Sequence, residues 1–520
     1  MTTPTPEGHG LIGTREGPVS RLLPKRTHRY DEDALRRLAA QMIVEDDELN
    51  DGRDAEENLF VPAGYTYLGQ FVDHDLTFDT TSNFDDPASR PSNLRTPALD
   101  LDCLYGSGPA DQPYMYAPDG AHLLPVDPRA KDLLRIPDDD PNYGRAVIGD
   151  KRNDENSIVC QIQLAFIKFH NAVVDKLKAK GVANGELFER ARNEVRWTYQ
   201  RIVLEDFLPR VVNHLSYDFF MQRRQQLGDK AYTLYTEDKR FALPVEFTGA
   251  AYRFGHSGVR TGYRLNTQTK KFVFDGSDLT ADSLVGFQPL PAAHVIDNWR
   301  RFFPDDGLPP GAKAVSNEDP TEENNPAVRM QWAYKLDPSL VMPLAKLPPS
   351  IGGGQPPNAL NSLAALNLRR GNLPGFALQD GQTFAHALGE TPLDAKYLVT
   401  RSDGAEEGSV TFKSIGDADP AFLHSTPLWF YILAEAQTGI VDAWLEGGKQ
   451  DLPEDFFFSG PGSATQLGPV GGRILMEVFN GILDADPRSF RHAGVAAGWQ
   501  PMIGAKLTFF HLLKFTGLAT

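Results

Sequence analysis

Apolar residues recur at spacings of three and four along SIVCQIQLAFIKFHNAVVDKL, residues 157–177. This spacing places a set of apolar side chains on one face of a helix with 3.6 residues per turn: Ile158, Ile162, Phe166, Phe169, Val173 and Leu177. The pattern therefore predicts a long amphipathic helix. Asn153 and Asp154 precede it and are its candidate N-caps.

A second helix is predicted along NEVRWTYQRIVLEDFLPRVV, residues 193–212, and we expect Pro209 to end it. Alternating strand patterns are scarce, and the best are KKFVFDG at 270–276 and GSVTFKS at 408–414. The prediction is a mainly α fold with long loops and very little β structure. Residues 1–55, which are polar and end in an acidic run, are interpreted as a partly extended N-terminal arm. Residues 56–520 are interpreted as one large helical domain.

Composition narrows the class of protein. A hydrophobic content of 41% is enough for a substantial core. The net charge of −17 argues against a nucleic-acid partner or an anionic membrane surface. Because the chain has neither a long uninterrupted apolar run nor a signal-peptide pattern at its start, we expect no membrane span and a cytoplasmic location. Export by a non-standard route and the oligomeric state stay open.

The stretch GQFVDHDLTFD, residues 69–79, concentrates polar chemistry. Gln70 and His74 are four residues apart and share a face if the segment is helical. Asp73 and Asp75 flank the histidine on either side. A polar surface turn would explain an isolated Asp-His-Asp equally well. The choice between a surface turn and a functional site therefore depends on the other motifs.

A second polar stretch is TPALDLDCLYG, residues 96–106. Its oxygen-bearing positions fall on every second residue, so in an extended loop they can turn toward one point: Thr96, Ala98, Asp100 and Asp102. Calcium takes six to eight oxygens from carboxylates, hydroxyls and carbonyls. A calcium site and an ordinary capped turn both fit this pattern.

Three further motifs each have an ordinary explanation when taken alone. GDKRNDEN, residues 149–156, spaces Arg152 and Glu155 as a surface ion pair would. AAYRFGHSGVRTGYRL, residues 250–265, places His256 three residues after Arg253. In LNLRRGNLPGF, residues 366–376, two polar residues share a helical face before a Pro-Gly stop: Asn367 and Arg370.

The order of these motifs, from about Gly64 to Gly375, resembles the animal-type haem peroxidases of the peroxidase-cyclooxygenase superfamily. The chain looks most like their short bacterial, peroxicin-like members. The resemblance implies a haem b enzyme with one calcium ion. It would reduce hydrogen peroxide and, through a ferryl intermediate, oxidise bromide, iodide, thiocyanate or phenolic donors.

On the peroxide side of the haem, the resemblance assigns His74 as the acid-base catalyst. A neutral imidazole suits this task because its ordinary pKa is near 6.5. Arg152 would stabilise the negative charge on the departing oxygen. Gln70 would bond water or a small anion.

On the opposite side, His256 would ligate the haem iron, and the carbonyl of Asn367 would accept a hydrogen bond from its other ring nitrogen. Arg253 and Arg370 would pair with the haem propionates. Asp73 and Glu155 match the positions that form ester links to haem. Asp75 would complete the calcium site together with the four residues named above for the stretch 96–106. Many animal members carry Ser at the position of Asp102.

Two departures from the family pattern narrow the activity. Asn156 stands where the members that oxidise chloride most readily carry a haem-linked Met. Without that link, we expect a lower reduction potential of the haem iron. Arg253 stands where cyclooxygenases carry a radical-bearing Tyr, and we expect the adjacent Tyr252 to point elsewhere. Two alternatives are kept, a fatty-acid dioxygenase of the same superfamily and a haem- or calcium-binding scaffold without turnover.

Overall fold

The computed structural model describes residues 19–44, 56–78, 93–278, 282–305, 329–351, 362–405, 409–453 and 462–519. Helices dominate these ranges, so the predicted mainly α class is confirmed. The α-helices are Glu32–Gln41, Gly64–Leu76, Asp102–Tyr105, Ser157–Ala179, Asn184–Ile202, Leu208–Val211, His214–Leu227, Val245–Gly249, Leu363–Arg369, Gly381–Leu388, Leu428–Ala436, Thr438–Glu446, Pro469–Ala485 and Phe509–Phe515.

The strands are short, with two to six residues each. The antiparallel pairs are Glu57–Pro62 with Trp332–Tyr334, Gly262–Arg264 with Lys270–Phe272, and Val399–Asp403 with Ser409–Ser414, which also pairs with Leu452–Pro453. Ile43–Val44 pairs with Leu340–Val341 in parallel. Both predicted strands are therefore present, and the first is shorter than its sequence pattern.

The central helix is Ser157–Ala179, which is buried on nearly every side. Its length and apolar composition are those of a membrane-spanning helix, yet 94% of its most apolar stretch is packed inside the protein, as in a core helix. The predicted N-caps are wrong. Asn156 is the cap, and its side chain accepts hydrogen bonds from the N–H groups of Ile158 and Val159.

The predicted stop at Pro209 is also wrong. Helix Asn184–Ile202 runs into a π-helical turn, Val203–Phe207, and Pro209 lies in the first turn of the next helix, Leu208–Val211. Proline is tolerated there because a first-turn residue needs no N–H donor. The widened turn keeps the chain helical instead of ending it.

Helix Gly64–Leu76, which carries the first polar motif, packs against the central helix. Phe71 and Phe166 stack with their ring centroids 4.6 Å apart, and both side chains are fully buried. Gly64 begins the helix close to the backbone of Phe302, where an added Cβ would lie 2.4 Å from the carbonyl oxygen. These contacts fix the helix rigidly beside the core.

The described part of the N-terminal arm, residues 19–44, contains a helix of its own. Glu32–Gln41 buries Leu35 and Leu38 and packs against helix Leu363–Arg369. Residues 1–18 and 45–55 lie outside the described residues, and the boundary at residue 55 stays a prediction.

Candidate active site

A cavity of about 270 Å³ gathers half of the predicted site residues. Its polar lining consists mainly of Gln70, Asp73, His74, Arg152, Glu155, Arg253 and His256. Much of the remaining lining is apolar, including Val61, Phe207, Val211, Leu344, Leu347 and Ile351. Residues from three separate sequence motifs therefore face one cavity.

His74 enters this cavity from the last turn of helix Gly64–Leu76 and is 4% exposed. Its Nδ1 lies 2.7 Å from Oδ1 of Asn153, whose Nδ2 donates to Oε1 of Gln163 at 2.9 Å. Since the Asn153 oxygen can only accept, Nδ1 carries the ring proton and Nε2 keeps its lone pair. Burial first, and Arg152 second, lower the pKa of His74 to about 4. The imidazole is therefore a neutral base near neutral pH.

Arg152 is held next to His74 by a buried carboxylate. Asp150 accepts hydrogen bonds from Nε of Arg152 at 3.1 Å and from Nη2 at 2.8 Å, and it also pairs with Arg95. Nη2 of Arg152 further donates to the carbonyl oxygens of His74 and Thr77. The cation is thus fixed against the end of the helix that carries the base.

Gln70 lines the cavity and is hydrogen-bonded to two neighbouring side chains, and its role in bonding water or a small anion stays a prediction. Its Nε2 donates to Oε1 of Glu155, and its Oε1 accepts from Nδ2 of Asn156 at 3.1 Å. Oε1 of Glu155 lies 3.9 Å from Nε2 of His74. Burial raises the pKa of Glu155 to about 7. A carboxyl group near half protonation therefore lies next to the candidate base.

Asp73 lines the same cavity in a different electrostatic state. Burial by itself raises the pKa of a carboxyl group, but Arg253 and Arg152 together bring the pKa of Asp73 below its ordinary value. Its Oδ1 also accepts a hydrogen bond from Oγ1 of Thr77 at 3.1 Å. Asp73 is therefore the more strongly ionised of the two carboxylates that the sequence assigned to haem attachment.

His256 ends the 3-10 turn Ala251–His256, and its Nδ1 lies 2.9 Å from Nδ2 of Asn367. Burial, then Arg253 and Arg370, lower the pKa of His256 to about 3, so the ring is neutral. The amide orientation is opposite to the prediction. Arg370 can only donate and takes the Asn367 oxygen, which turns the amide nitrogen toward His256. Arg370 thus contacts the support of His256, and its pairing with a propionate stays a prediction.

Arg253 lines the cavity, and its Nε donates to the carbonyl oxygen of Thr248 at 2.9 Å. The expectation that Tyr252 points elsewhere is wrong. Tyr252 also lines the cavity, and its hydroxyl donates to the carbonyl oxygen of Gly69 at 3.2 Å. In a 3-10 turn the side chains three residues apart overlie each other, which accounts for Arg253 and His256 sharing the cavity but not for Tyr252.

Beside the cavity, three carboxylates converge, and we call them the Asp75 cluster. Ligand oxygens of Asp75, Asp100 and Asp102 all lie within 4.8 Å of one another. Asp75 is fully buried, and neither of its oxygens makes a well-formed hydrogen bond in the described part of the chain. Burial and the neighbouring carboxylates raise the pKa of Asp75 well above its ordinary value. Thr96 is exposed and Ala98 is buried, and their part as ligands stays a prediction.

Sequence reasoning missed the residues that hold the site together. Asn153 was considered only as a helix cap, although it orients His74. Asp150 was not considered, although it anchors Arg152. The Asp-x-Arg spacing before a helix start, which is typical of a capping turn, was the signal available for Asp150. No sequence signal links Asn153 with a histidine 79 residues earlier.

Comparisons with known proteins agree with this geometry. The family model "Animal haem peroxidase" matches residues 85–285, which include Arg152, Glu155, Arg253 and His256. Chorion peroxidase of Drosophila melanogaster is 26% identical over 179 residues, covering 33% of this chain and 22% of that protein. The matched segments span less than a quarter of the length of the curated relatives.

A solved peroxidase structure shares the fold over most of the chain. Peroxidase A from Dictyostelium discoideum has a TM-score of 0.59 and 14% identity, covering 96% of this chain and 93% of that chain. The fatty acid alpha-dioxygenase of Oryza sativa has a TM-score of 0.49 and 14% identity, covering 93% of this chain and 75% of that chain. At such identities the likeness extends to the fold alone.

Proposed function

We propose that this chain is an oxidoreductase of the animal haem peroxidase family, whose model matches residues 85–285, and that it acts as a peroxidase. Its substrates would be hydrogen peroxide and small electron donors, namely bromide, iodide, thiocyanate or phenols. The observation that carries the proposal is the pairing of a neutral His74, its proton on Nδ1, with the anchored Arg152 in one cavity. A passive carrier of haem needs neither group.

His74 would move the proton that peroxide cleavage requires. Its Nε2 lone pair takes a proton from one peroxide oxygen and returns it to the other. Asn153 keeps Nε2 unprotonated for this purpose by occupying Nδ1. Arg152 stabilises the negative charge that develops on the departing oxygen, as a fixed cation in a water-poor site does.

The residues present fit a haem group. The cavity walls are largely apolar, and Arg253 supplies a positive charge for a propionate. His256 is neutral and would ligate iron through Nε2 with the Asn367 amide turned so that its oxygen accepts from Nδ1. When bound, haem supplies the redox chemistry that no side chain here provides. Asp73 and Glu155 would attach it through esters, since both carboxyl groups line the same cavity.

The Asp75 cluster fits one calcium ion. Hard cations prefer carboxylate oxygens, and three of these, one of them fully buried, converge without an adequate set of hydrogen-bond donors. Asp75 is the next residue after His74, so an ion there would fix the end of the helix that carries the base. Its role would be structural.

Peroxide addition to the haem-loaded protein tests the proposal. We expect a change in the Soret band within seconds and oxidation of bromide or a phenol. His74→Gln should slow the spectral change by about 10²–10⁴-fold while haem binding is kept, since this is the usual contribution of a general base. His492→Gln, which alters an exposed histidine, is the matched control. Equal rates in both variants would contradict the role of His74.

The dioxygenase alternative gains one observation, because Tyr252 lines the cavity. Oxygen uptake with linoleate in the absence of peroxide, abolished by Tyr252→Phe, would favour that activity. Failure of the purified protein to take up haem would favour the scaffold instead.

A further inference from the structure

Three tyrosines line the cavity, namely Tyr65, Tyr67 and Tyr252. All three side chains are buried, and burial raises their pKa values, so each keeps its phenolic proton near neutral pH. Oxidation of a phenol by one electron turns its hydroxyl into a strong acid. Only a tyrosine with a base at hydrogen-bond distance can therefore be oxidised readily in a buried position.

Tyr65 has such a base. Its hydroxyl lies 2.8 Å from both oxygens of Asp206, a carboxylate that is 4% exposed. Asp206 is positioned by two further contacts, from Nε of Arg210 at 3.1 Å and from the N–H of Phe509 at 2.9 Å. The guanidinium of Arg210 also lies over the Tyr65 ring, and its charge is balanced by Asp206.

The other two tyrosines lack a proton acceptor of this kind. The hydroxyl of Tyr252 donates to the carbonyl oxygen of Gly69, and a peptide carbonyl is too weak a base to hold the proton. The hydroxyl of Tyr67 has no carboxylate at hydrogen-bond distance in the described ranges. Its neighbour Tyr263 already accepts a bond from the N–H of Arg260. Among the cavity tyrosines, the surroundings single out Tyr65.

The local backbone gives a second, independent reason. Asp206 lies in the π-helical turn Val203–Phe207, whose extra residue shifts the side chains that follow it. Such turns are uncommon and are frequent at functional sites. Here the turn brings a carboxylate to a tyrosine 141 residues earlier in the chain.

We infer that Tyr65 is a redox-active tyrosine with Asp206 as its proton acceptor, an inference that rests on the proposed peroxidase function. Tyr65 gives one electron to the haem after the haem has reacted with peroxide. The O–H bond of Tyr65 breaks, its proton moves to Asp206, and the haem is reduced by one electron. A donor that supplies one electron later restores the tyrosine, and the proton returns from Asp206.

Freeze-quench electron paramagnetic resonance of the haem-loaded full chain, mixed with peroxide, tests this. We expect a tyrosyl radical signal that Tyr65→Phe removes and Tyr67→Phe keeps. Tyr67 is the matched control because it lies on the same helix and lines the same cavity. A signal that persists in Tyr65→Phe, or that is lost in Tyr67→Phe alone, would overturn the inference.

A measurement on the unaltered protein keeps the test decisive if Tyr65→Phe fails to bind haem. In D2O, electron-nuclear double resonance should find an exchangeable deuteron that is covalently held by Asp206 and hydrogen-bonded to the radical oxygen of Tyr65. A radical without that deuteron overturns the inference.

The two proposals fail in distinguishable ways. A Soret band that responds to peroxide without any tyrosyl signal overturns the role of Tyr65 and leaves the peroxidase function standing. A Soret band that does not respond overturns both.

Discussion

Replacing Asp75 by Asn should have opposite effects with and without calcium. At an effective dielectric constant of about 20, two unit charges 4.8 Å apart repel by about 3.5 kcal/mol. Arg95 pairs with Asp102 and Arg488 with Asp100, so Asp75 is the buried member without its own cation. Above the raised pKa of Asp75, where its carboxylate is ionised, Asp75→Asn removes this repulsion and should stabilise the calcium-free protein. With about 2.1 cal/mol/K of unfolding entropy per residue, the gain corresponds to a rise in Tm of about 3 °C.

Calcium should reverse the order of stability. A bound ion stabilises the folded protein by about 4.1 kcal/mol at a free concentration about 1,000 times its dissociation constant, which exceeds the gain of about 3.5 kcal/mol expected for the variant. The unaltered protein should therefore gain a few degrees in Tm on calcium addition, whereas Asp75→Asn should gain little. Differential scanning fluorimetry with calcium or a chelator measures both. Asp111→Asn, at an exposed carboxylate, is the control. A variant that melts lower than the parent in chelator and still responds to calcium would refute the reasoning.

The pH dependence of the calcium effect has a definite sign. The pKa of Asp102 is raised to about 7 by burial, and that of Asp75 is also raised, so the folded calcium-free protein holds protons that the unfolded chain releases near pH 4. Its stability therefore falls as the pH rises from about 4 to about 7. Calcium favours the ionised carboxylates. The Tm shift on calcium addition should thus be larger at pH 8 than at pH 5, and an equal shift would count against the site.

Three other outcomes are expected. Because the pKa of His74 is about 4, the rate of the peroxide reaction, measured by stopped flow, should be constant from pH 5 to 8 and fall near pH 4. A midpoint near the ordinary histidine pKa of about 6.5 would contradict the conclusion that burial lowers the pKa of His74. Glu155→Gln should make haem extractable by acid-acetone after peroxide treatment to a greater extent than in the parent; unchanged retention would exclude an ester at Glu155. Phe166→Ala should lower the free energy of unfolding by about 3–5 kcal/mol in urea titrations, since it removes a buried ring stacked on Phe71. A loss below about 1 kcal/mol would mean that neighbouring side chains fill the cavity left by the ring.

Local periodicity located the central helix and two of the short strands. The apolar spacing from Ile158 onward locates the central helix because a helix in a core shows its buried faces directly in the sequence. Its start was misplaced because Asn153, Asp154 and Asn156 are all good caps by residue type. The backbone geometry alone selects Asn156. Pro209 was misread for a similar reason, since a π-helical turn has no sequence signature.

The sequence by itself determined the residue types of the site, their spacing within each motif and their order along the chain. Gln70 and His74 share a helical face because the period of the helix is local, and the motif order carries the family resemblance. Packing alone decided that Asn153 orients His74, that Tyr252 faces the cavity and that Tyr65 meets Asp206. Those contacts join segments far apart in the chain. Burial and the nearest charges set pKa values and proton positions, and both are properties of the folded structure, so no local pattern encodes them.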